Sequence, residues 1–183
     1  MNWNSTNLEG CIVLEPRVFL DSRGYFMESF NQKTFDEITQ QPIRFVQDNQ
    51  SLSSKGVLRG LHYQTGEFSQ SKLVRVLQGS VLDIAVDIRP DSKTYGQYHS
   101  EILTAENQKQ VFIPKGFAHG FLVLSDTALF SYKCDQYYNA ASEGGIIFND
   151  SFLNIDWQFL ISDCIISDKD LKLPEFSKAK AVW

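Results

Sequence analysis

Cysteine is scarce in this chain: 3 among 183 residues, at 11, 134 and 164, with no C-x-x-C spacing. That argues against a disulfide framework or a cysteine zinc site, and it fits a reducing cytoplasm. Positive charge is short as well, with Lys+Arg 17 against Asp+Glu 22, a net charge of −5. A general nucleic-acid or anionic-membrane binder needs a broad positive field, which this chain lacks. No uncharged apolar run approaches the roughly 20 residues of a membrane helix. The opening MNWNSTNLEG has neither the basic nor the apolar region of a secretory signal. The expectation is a soluble cytoplasmic protein. One anionic ligand held by a few local Arg and Lys remains open.

The length suits one domain over residues 1–183, enough to bury a core without staples. The apolar runs are short and rich in β-branched and aromatic types, including 14 Phe. The clearest run is Val81–Ile88. Leu82, Ile84, Val86 and Ile88 fall on one face, and Val81, Asp83, Ala85 and Asp87 on the other. Further strands are expected at Leu73–Leu77, Val111–Ile113, Phe121–Leu124, Ala128–Cys134 and Gly145–Phe148, with turn-rich pieces between them. Such spacing predicts an all-β sandwich or barrel. A short helix is expected over Lys33–Thr39, capped by Asn31, and a short turn over Ser167–Leu171. Pro174–Trp183 reads as surface chain.

Histidine is also rare, 3 residues, and two sit in unusual surroundings: Arg59-Gly60-Leu61-His62-Tyr63-Gln64 and Pro114-Lys115-Gly116-Phe117-Ala118-His119-Gly120-Phe121. On a strand, Leu61 and Tyr63 share one face, and His62 and Gln64 the other. A lone strand histidine is most often structural. Arg59, Lys72 and Asp83 near the same strand ends shift that reading toward a polar inner face lining a pocket. A metal is a poor fit, because the position two after His62 is Gln64 rather than His. An acid–base site fits better, since imidazole can take a proton and return it near neutral pH. Asp48 and Asp170 are both candidates to orient it. Tyr132 lies on the apolar face of Ala128, Phe130 and Cys134, equally consistent with a core aromatic or a catalytic phenol. Arg23, Arg59 and Lys72 read singly as solvated charges, and together as an anion site.

Longer stretches carry more. Val18-Phe19, Asp21–Ser29, Phe45–Asn49, Val57–Gln64, Lys72–Arg75, Val86–Arg89, Ile113–Phe121, Tyr132-Lys133, Tyr137-Tyr138, Glu143-Gly144, Asn149-Asp150, Ile155–Trp157 and Ser167–Asp170 occur in a characteristic order. In them the chain resembles dTDP-4-dehydrorhamnose 3,5-epimerases over about residues 10–171. Phe148 stands where Trp is common and Gln158 where Pro is usual; both read as packing changes.

The resemblance implies a cupin-type jelly-roll β-sandwich with a few short helices, in a homodimer that exchanges N-terminal strands. It implies no cofactor and no metal. His62 would be the base, oriented by Asp170, with Tyr132 the acid on the opposite sugar face and Lys72 stabilising the enolate oxygen. Arg23, Glu28, Gln47, Asp48, Asn49, Arg59, His119, Glu143 and Lys169 would bind the dTDP-sugar. Arg23 and Glu28 would reach into the partner's pocket, and Tyr138 would stack on the thymine. The reaction implied is inversion at C3 and C5 of dTDP-4-dehydro-6-deoxy-D-glucose. A 5-epimerase or 3,4-ketoisomerase on another dTDP-4-keto sugar is the alternative. A non-catalytic sugar-nucleotide-binding module fits less well, because mere binding needs no acid–base pair.

Overall fold

The alternation in Val81–Ile88 becomes a strand with two buried faces. In the computed structural model, which describes residues 1–183, this strand is β8 (Ser80–Asp87). Val81 and Ala85 point into a cluster between two sheets, while Leu82, Ile84, Val86 and Ile88 point into a second cluster behind it.

Before β8 the chain forms β1 (Asn2–Ser5), β2 (Ile12–Glu15), β3 (Val18–Asp21), β4 (Gly24–Met27), α1 (Gln32–Thr39), β5 (Gln47–Ser54), β6 (Leu58–Gln64) and β7 (Lys72–Gln78). After it come β9 (Tyr98–Thr104), β10 (Gln110–Ile113), β11 (Phe117–Val123), β12 (Thr127–Cys134) and β13 (Glu143–Gly145). One sheet has the order β1-β2-β10-β7-β12-β5 and the other β13-β6-β11-β8-β9. Every pairing between these strands is antiparallel. The sheets face each other as a jelly-roll sandwich of the cupin type, the expected class. β3 and β4 form a separate two-stranded ribbon, which leaves Phe19, Leu20, Tyr25 and Phe26 exposed.

Three apolar layers stack. Val13, Val74, Val111, Phe121 and Phe130 fill the space between the sheets. On the outer side of the six-stranded sheet, α1 lays Phe35 against Phe112, with ring centroids 5.2 Å apart. Asn31 caps this helix by accepting from the Thr34 N–H at 3.2 Å, as its sequence predicts. No helix is long and apolar enough to cross a membrane.

The C-terminal stretch corrects the surface expectation. Phe176 and Val182 are buried with Leu82 and Leu122, so Pro174–Trp183 covers the outer face of the five-stranded sheet. Gly145–Phe148 is not a strand as expected. Pairing stops at Gly145, and Ile146 and Ile147 divide their bonds between Leu61 and Pro174. Gln158 is also more than a packing change: its φ is 52°, a value proline cannot adopt.

Candidate active site

β6 and β11 bring the two unusual histidines side by side, with His62 paired to His119. Three β6 steps from Arg59 to His62 then oppose two β11 steps from His119 to Phe121, which makes a bulge. Two glycines permit it. A Cβ on Gly60 (φ 122°) would stand 2.6 Å from the Gly120 Cα, and one on Gly120 would stand 2.7 Å from the Arg59 carbonyl. The bulge turns the Gly60 N–H onto Asp170 Oδ2 at 3.2 Å, and Asp170 Oδ1 lies 2.8 Å from His62 Nε2.

Asp170, not Asp48, is therefore the carboxylate beside His62. Burial pushes the Asp170 carboxyl up, but the bonds from His62, Gly60 and Ser167 outweigh it and hold it below its ordinary value. An ionised Asp170 fixes the proton of His62 on Nε2 and leaves Nδ1 free to accept one.

The opposite wall comes from the six-stranded sheet. β12 lies between β5 and β7, so Tyr132 sits across from both Asn49 and Val74, and Cys134 across from Gln47 and Lys72. The inward face thus carries Gln47, Asn49, Lys72 and Tyr132. Lys72 Nζ is 5.9 Å from the Tyr132 ring centroid. Burial lowers the Lys72 ammonium and raises the Tyr132 phenol.

Between the walls lies a cavity of about 820 Å³. Its lining brings together His62, Asp170, Lys72 and Tyr132. Gln47, Asn49, Arg59, His119, Tyr138, Glu143 and Lys169 line it too. Arg59 donates to Ser53 Oγ at 3.2 Å. The Tyr138 N–H is held by Gln47 Oε1 at 3.0 Å, with the ring half-exposed. Lys169 Nζ bonds Glu143 at 2.7 Å on the solvent side.

Three expected binding residues lie elsewhere in this chain. Asp48 falls on the outer face of β5 and pairs with Lys133 at 3.0 Å, because side chains alternate and Gln47 and Asn49 point inward. Arg23 is exposed at the tip of the β3–β4 ribbon beside Asp21, and Glu28 accepts from Asn31 at 3.0 Å.

Four features escape a reading of the sequence. Asp83 reaches diagonally along the inner face of the five-stranded sheet to His119 on the neighbouring β11, with its Oδ2 2.8 Å from Nε2; the alternation in β8 marks Asp83 as inward but names no partner. Burial is the main influence on His119 and depresses its imidazole. Gly60 and Gly120 are invisible without the register. Ser167 lines the cavity and accepts the Asp170 N–H at 3.1 Å. Gln64, where a metal site would want histidine, instead ties two loops together. It donates to the Phe68 and Tyr137 carbonyls and accepts the Asn139 N–H at 2.6 Å. No group of three or more His, Cys, Asp or Glu stands ready to hold a metal ion.

An imidazole–carboxylate pair facing a phenol and a buried ammonium, inside a jelly-roll sandwich, defines an isomerase that works by moving protons. Comparison with known proteins gives the particular kind. The chain belongs to the dTDP-4-dehydrorhamnose 3,5-epimerase family, matching it over residues 5–178. That range exceeds the expected 10–171 at both ends and takes in part of the C-terminal segment. The Escherichia coli enzyme of that name is 54% identical over 173 residues, 94% of this chain and 93% of its own. A crystal structure of the Elizabethkingia anophelis enzyme superposes with a TM-score of 0.94 at 53% identity, covering 97% of each chain. The Legionella pneumophila dTDP-6-deoxy-D-glucose-3,5-epimerase, in complex with dTDP-4-keto-L-rhamnose, gives 0.93 at 47% identity, covering 97% of this chain and 93% of that one.

Proposed function

We propose that this enzyme inverts C3 and C5 of dTDP-4-dehydro-6-deoxy-D-glucose, giving dTDP-4-dehydro-L-rhamnose. The observation that carries the reading is the division of labour between walls: His62 with Asp170 comes from one sheet side, Lys72 and Tyr132 from the other, around one cavity.

The chemistry needs that division. The C4 ketone acidifies the protons on both neighbouring carbons, so one site serves both centres. His62 Nδ1 withdraws a proton from one face of the ring. Negative charge moves to the ketone oxygen, where the Lys72 ammonium stabilises it. Tyr132 returns a proton from the opposite face, which inverts the carbon. Asp170 keeps the imidazole oriented and stabilises its charged form. Arg59 and Lys169, with Gln47, Asn49, His119 and Glu143, hold the nucleotide sugar, and Tyr138 offers its ring to the base.

The working unit is the whole chain as one cytoplasmic domain, paired as a homodimer with exchanged N-terminal strands. The exposed aromatic residues of the β3–β4 ribbon support that arrangement, as does the lining of the cavity, which includes neither Arg23 nor Glu28 of the same chain. Arg23 and Glu28 would then serve the partner's cavity.

Incubation with the keto sugar in D₂O tests the reading. Deuterium at both C3 and C5, and a product that a coupled reductase converts to dTDP-L-rhamnose, is the expected result. Label at one carbon would make the protein a single-centre relative, and no label would leave a binding module.

A further inference from the structure

The C-terminal segment has no part in the chemistry above, yet it returns to the cavity rim. It leaves Asp170 through a short 3-10 turn, Asp170–Lys172. Leu173 then packs where a Cβ on Gly145 would stand 2.5 Å from its Cδ2. The Pro174 carbonyl accepts the Ile147 N–H at 2.8 Å, and the Val182 carbonyl accepts the Gly66 N–H at 2.7 Å.

Between these anchors lies Lys180. Its carbonyl accepts the Tyr63 hydroxyl at 2.7 Å, and its Nζ donates to the Glu143 carbonyl at 2.8 Å. Tyr63 is the neighbour of His62 on β6. Glu143 opens β13, a three-residue strand that pairs on one side with Gln64 of β6. Lys180 thus closes a ring: β6 to Lys180 through Tyr63, Lys180 to β13 through Glu143, β13 back to β6 through the ladder. A strand of three residues has few bonds to hold it in place. Glu143 nonetheless carries the carboxylate that orients Lys169, one residue before Asp170.

We infer that Lys180 is a positioning residue. The C-terminal strap clamps β13 onto β6 and sets the Glu143–Lys169 pair where it meets the bound nucleotide sugar. The inference rests on the proposed function, which gives that pair its binding role. Loss of the Lys180 ammonium acts on affinity and leaves proton transfer alone, because Asp170 holds the His62 ring, and Tyr132 and Lys72 stand on β12 and β7 in the opposite sheet.

The test uses the full chain. Lys180→Met removes one exposed ammonium and leaves the buried anchors Phe176 and Val182 in place. Lys178→Met is the control, since Lys178 bonds only Glu175 on the same segment. Affinity is read with dTDP-glucose, which has no ketone and does not react, alongside kcat and KM. A lost hydrogen bond of ordinary strength predicts that Lys180→Met raises both Kd and KM about three- to tenfold. Its kcat stays within about twofold, Lys180→Arg restores most of the affinity, and Lys178→Met changes neither constant. Unchanged Kd in Lys180→Met, an equal loss in Lys178→Met, or a fall confined to kcat would overturn the inference. Wild-type enzyme that fails to bind dTDP-glucose at all would instead sink the proposed function.

Discussion

Asp170 meets His62 across 108 residues of chain, with 2.8 Å between Oδ1 and Nε2. Its other oxygen takes the Gly60 N–H, so a backbone bulge two residues before His62 fixes the carboxylate that fixes the imidazole. Asp170→Asn keeps the shape but removes the charge, and an amide can present its NH₂ to Nε2 and reverse the tautomer. Turnover is expected to fall at least about 10²-fold, with Kd for dTDP-glucose little changed.

The same carboxylate links stability to pH. Its folded value is depressed, so its contribution is fully present above the unfolded carboxylate pKa of about 4 and is lost as pH falls through the lower folded value. Wild type should therefore exceed Asp170→Asn in urea midpoint at neutral pH. The gap should narrow as pH drops below about 4. A gap independent of pH would show that the substitution acts through packing instead.

Removing either proton carrier should stop the reaction without emptying the site. His62→Ala and Tyr132→Phe are each expected to lower kcat at least about 10²-fold. They should differ in D₂O exchange. His62→Ala loses wash-in of label at both carbons, whereas Tyr132→Phe can still exchange from the face that His62 serves. Near-normal turnover in His62→Ala would remove the assigned base.

In the proposed mechanism Lys72 stabilises the enolate oxygen. Lys72→Met should cost about 3–4 kcal/mol of transition-state stabilisation, roughly 10²–10³-fold in kcat. Burial lowers the Lys72 ammonium, with Asp83 and Cys134 partly opposing the shift. Only the charged form stabilises an enolate, so activity should decline with rising pH before an ordinary lysine would titrate. His119, His62 and Tyr132 also face this space, and the Lys72→Arg variant separates them. Its guanidinium stays protonated, so any alkaline loss that persists belongs to another group.

How much of this could be read beforehand follows the physics of each strand. β8 announces itself because Leu82, Ile84 and Val86 alternate along one face, opposite Val81, Asp83, Ala85 and Asp87. β5, Gln47–Ser54, carries a single apolar residue, Leu52, and shows no strand signal. Its inward positions are Gln47, Asn49, Ser51 and Ser53 because they face a cavity rather than a core. The residues that line the cavity are the ones that hide the strand. Asp170 was nameable as a carboxylate near a C-terminal turn, but Asp48 was an equal candidate from spacing. Beyond the family resemblance, the structure separates them: β5 turns Asp48 outward to Lys133, and Asp170 meets His62. The C-terminal segment looked like surface chain because its buried residues, Phe176 and Val182, are far apart in sequence. They follow no helix or strand period, so nothing local marks them.

Gly120 illustrates a constraint that composition cannot show. Its absent Cβ lets the Arg59 carbonyl approach, and a methyl there would stand 2.7 Å from that oxygen. Gly120→Ala must push β11 from β6 at the bulge. It should destabilise by more than about 1 kcal/mol, since backbone atoms on both sides resist displacement. Turnover should fall further than stability alone explains, because the Gly60 N–H moves off Asp170. A Gly120→Ala protein with wild-type melting temperature and kcat would show that the two strands have slack.

The proposed exchanged dimer makes a prediction no single-chain variant can test. If Arg23 serves the partner's cavity, Arg23→Ala damages the neighbouring site and His62→Ala damages its own. Mix the two variants under conditions that allow subunits to re-pair. In a mixed dimer, the cavity of the Arg23→Ala chain has its own His62 and receives an intact Arg23 from the His62→Ala chain. The other cavity has neither. Random re-pairing places half the molecules in mixed dimers, each with one complete site, so activity at low substrate should rise to about a quarter of wild type. If Arg23 instead folds back onto its own cavity, no pairing assembles a complete site, and mixing adds nothing to the sum of the two separate variants.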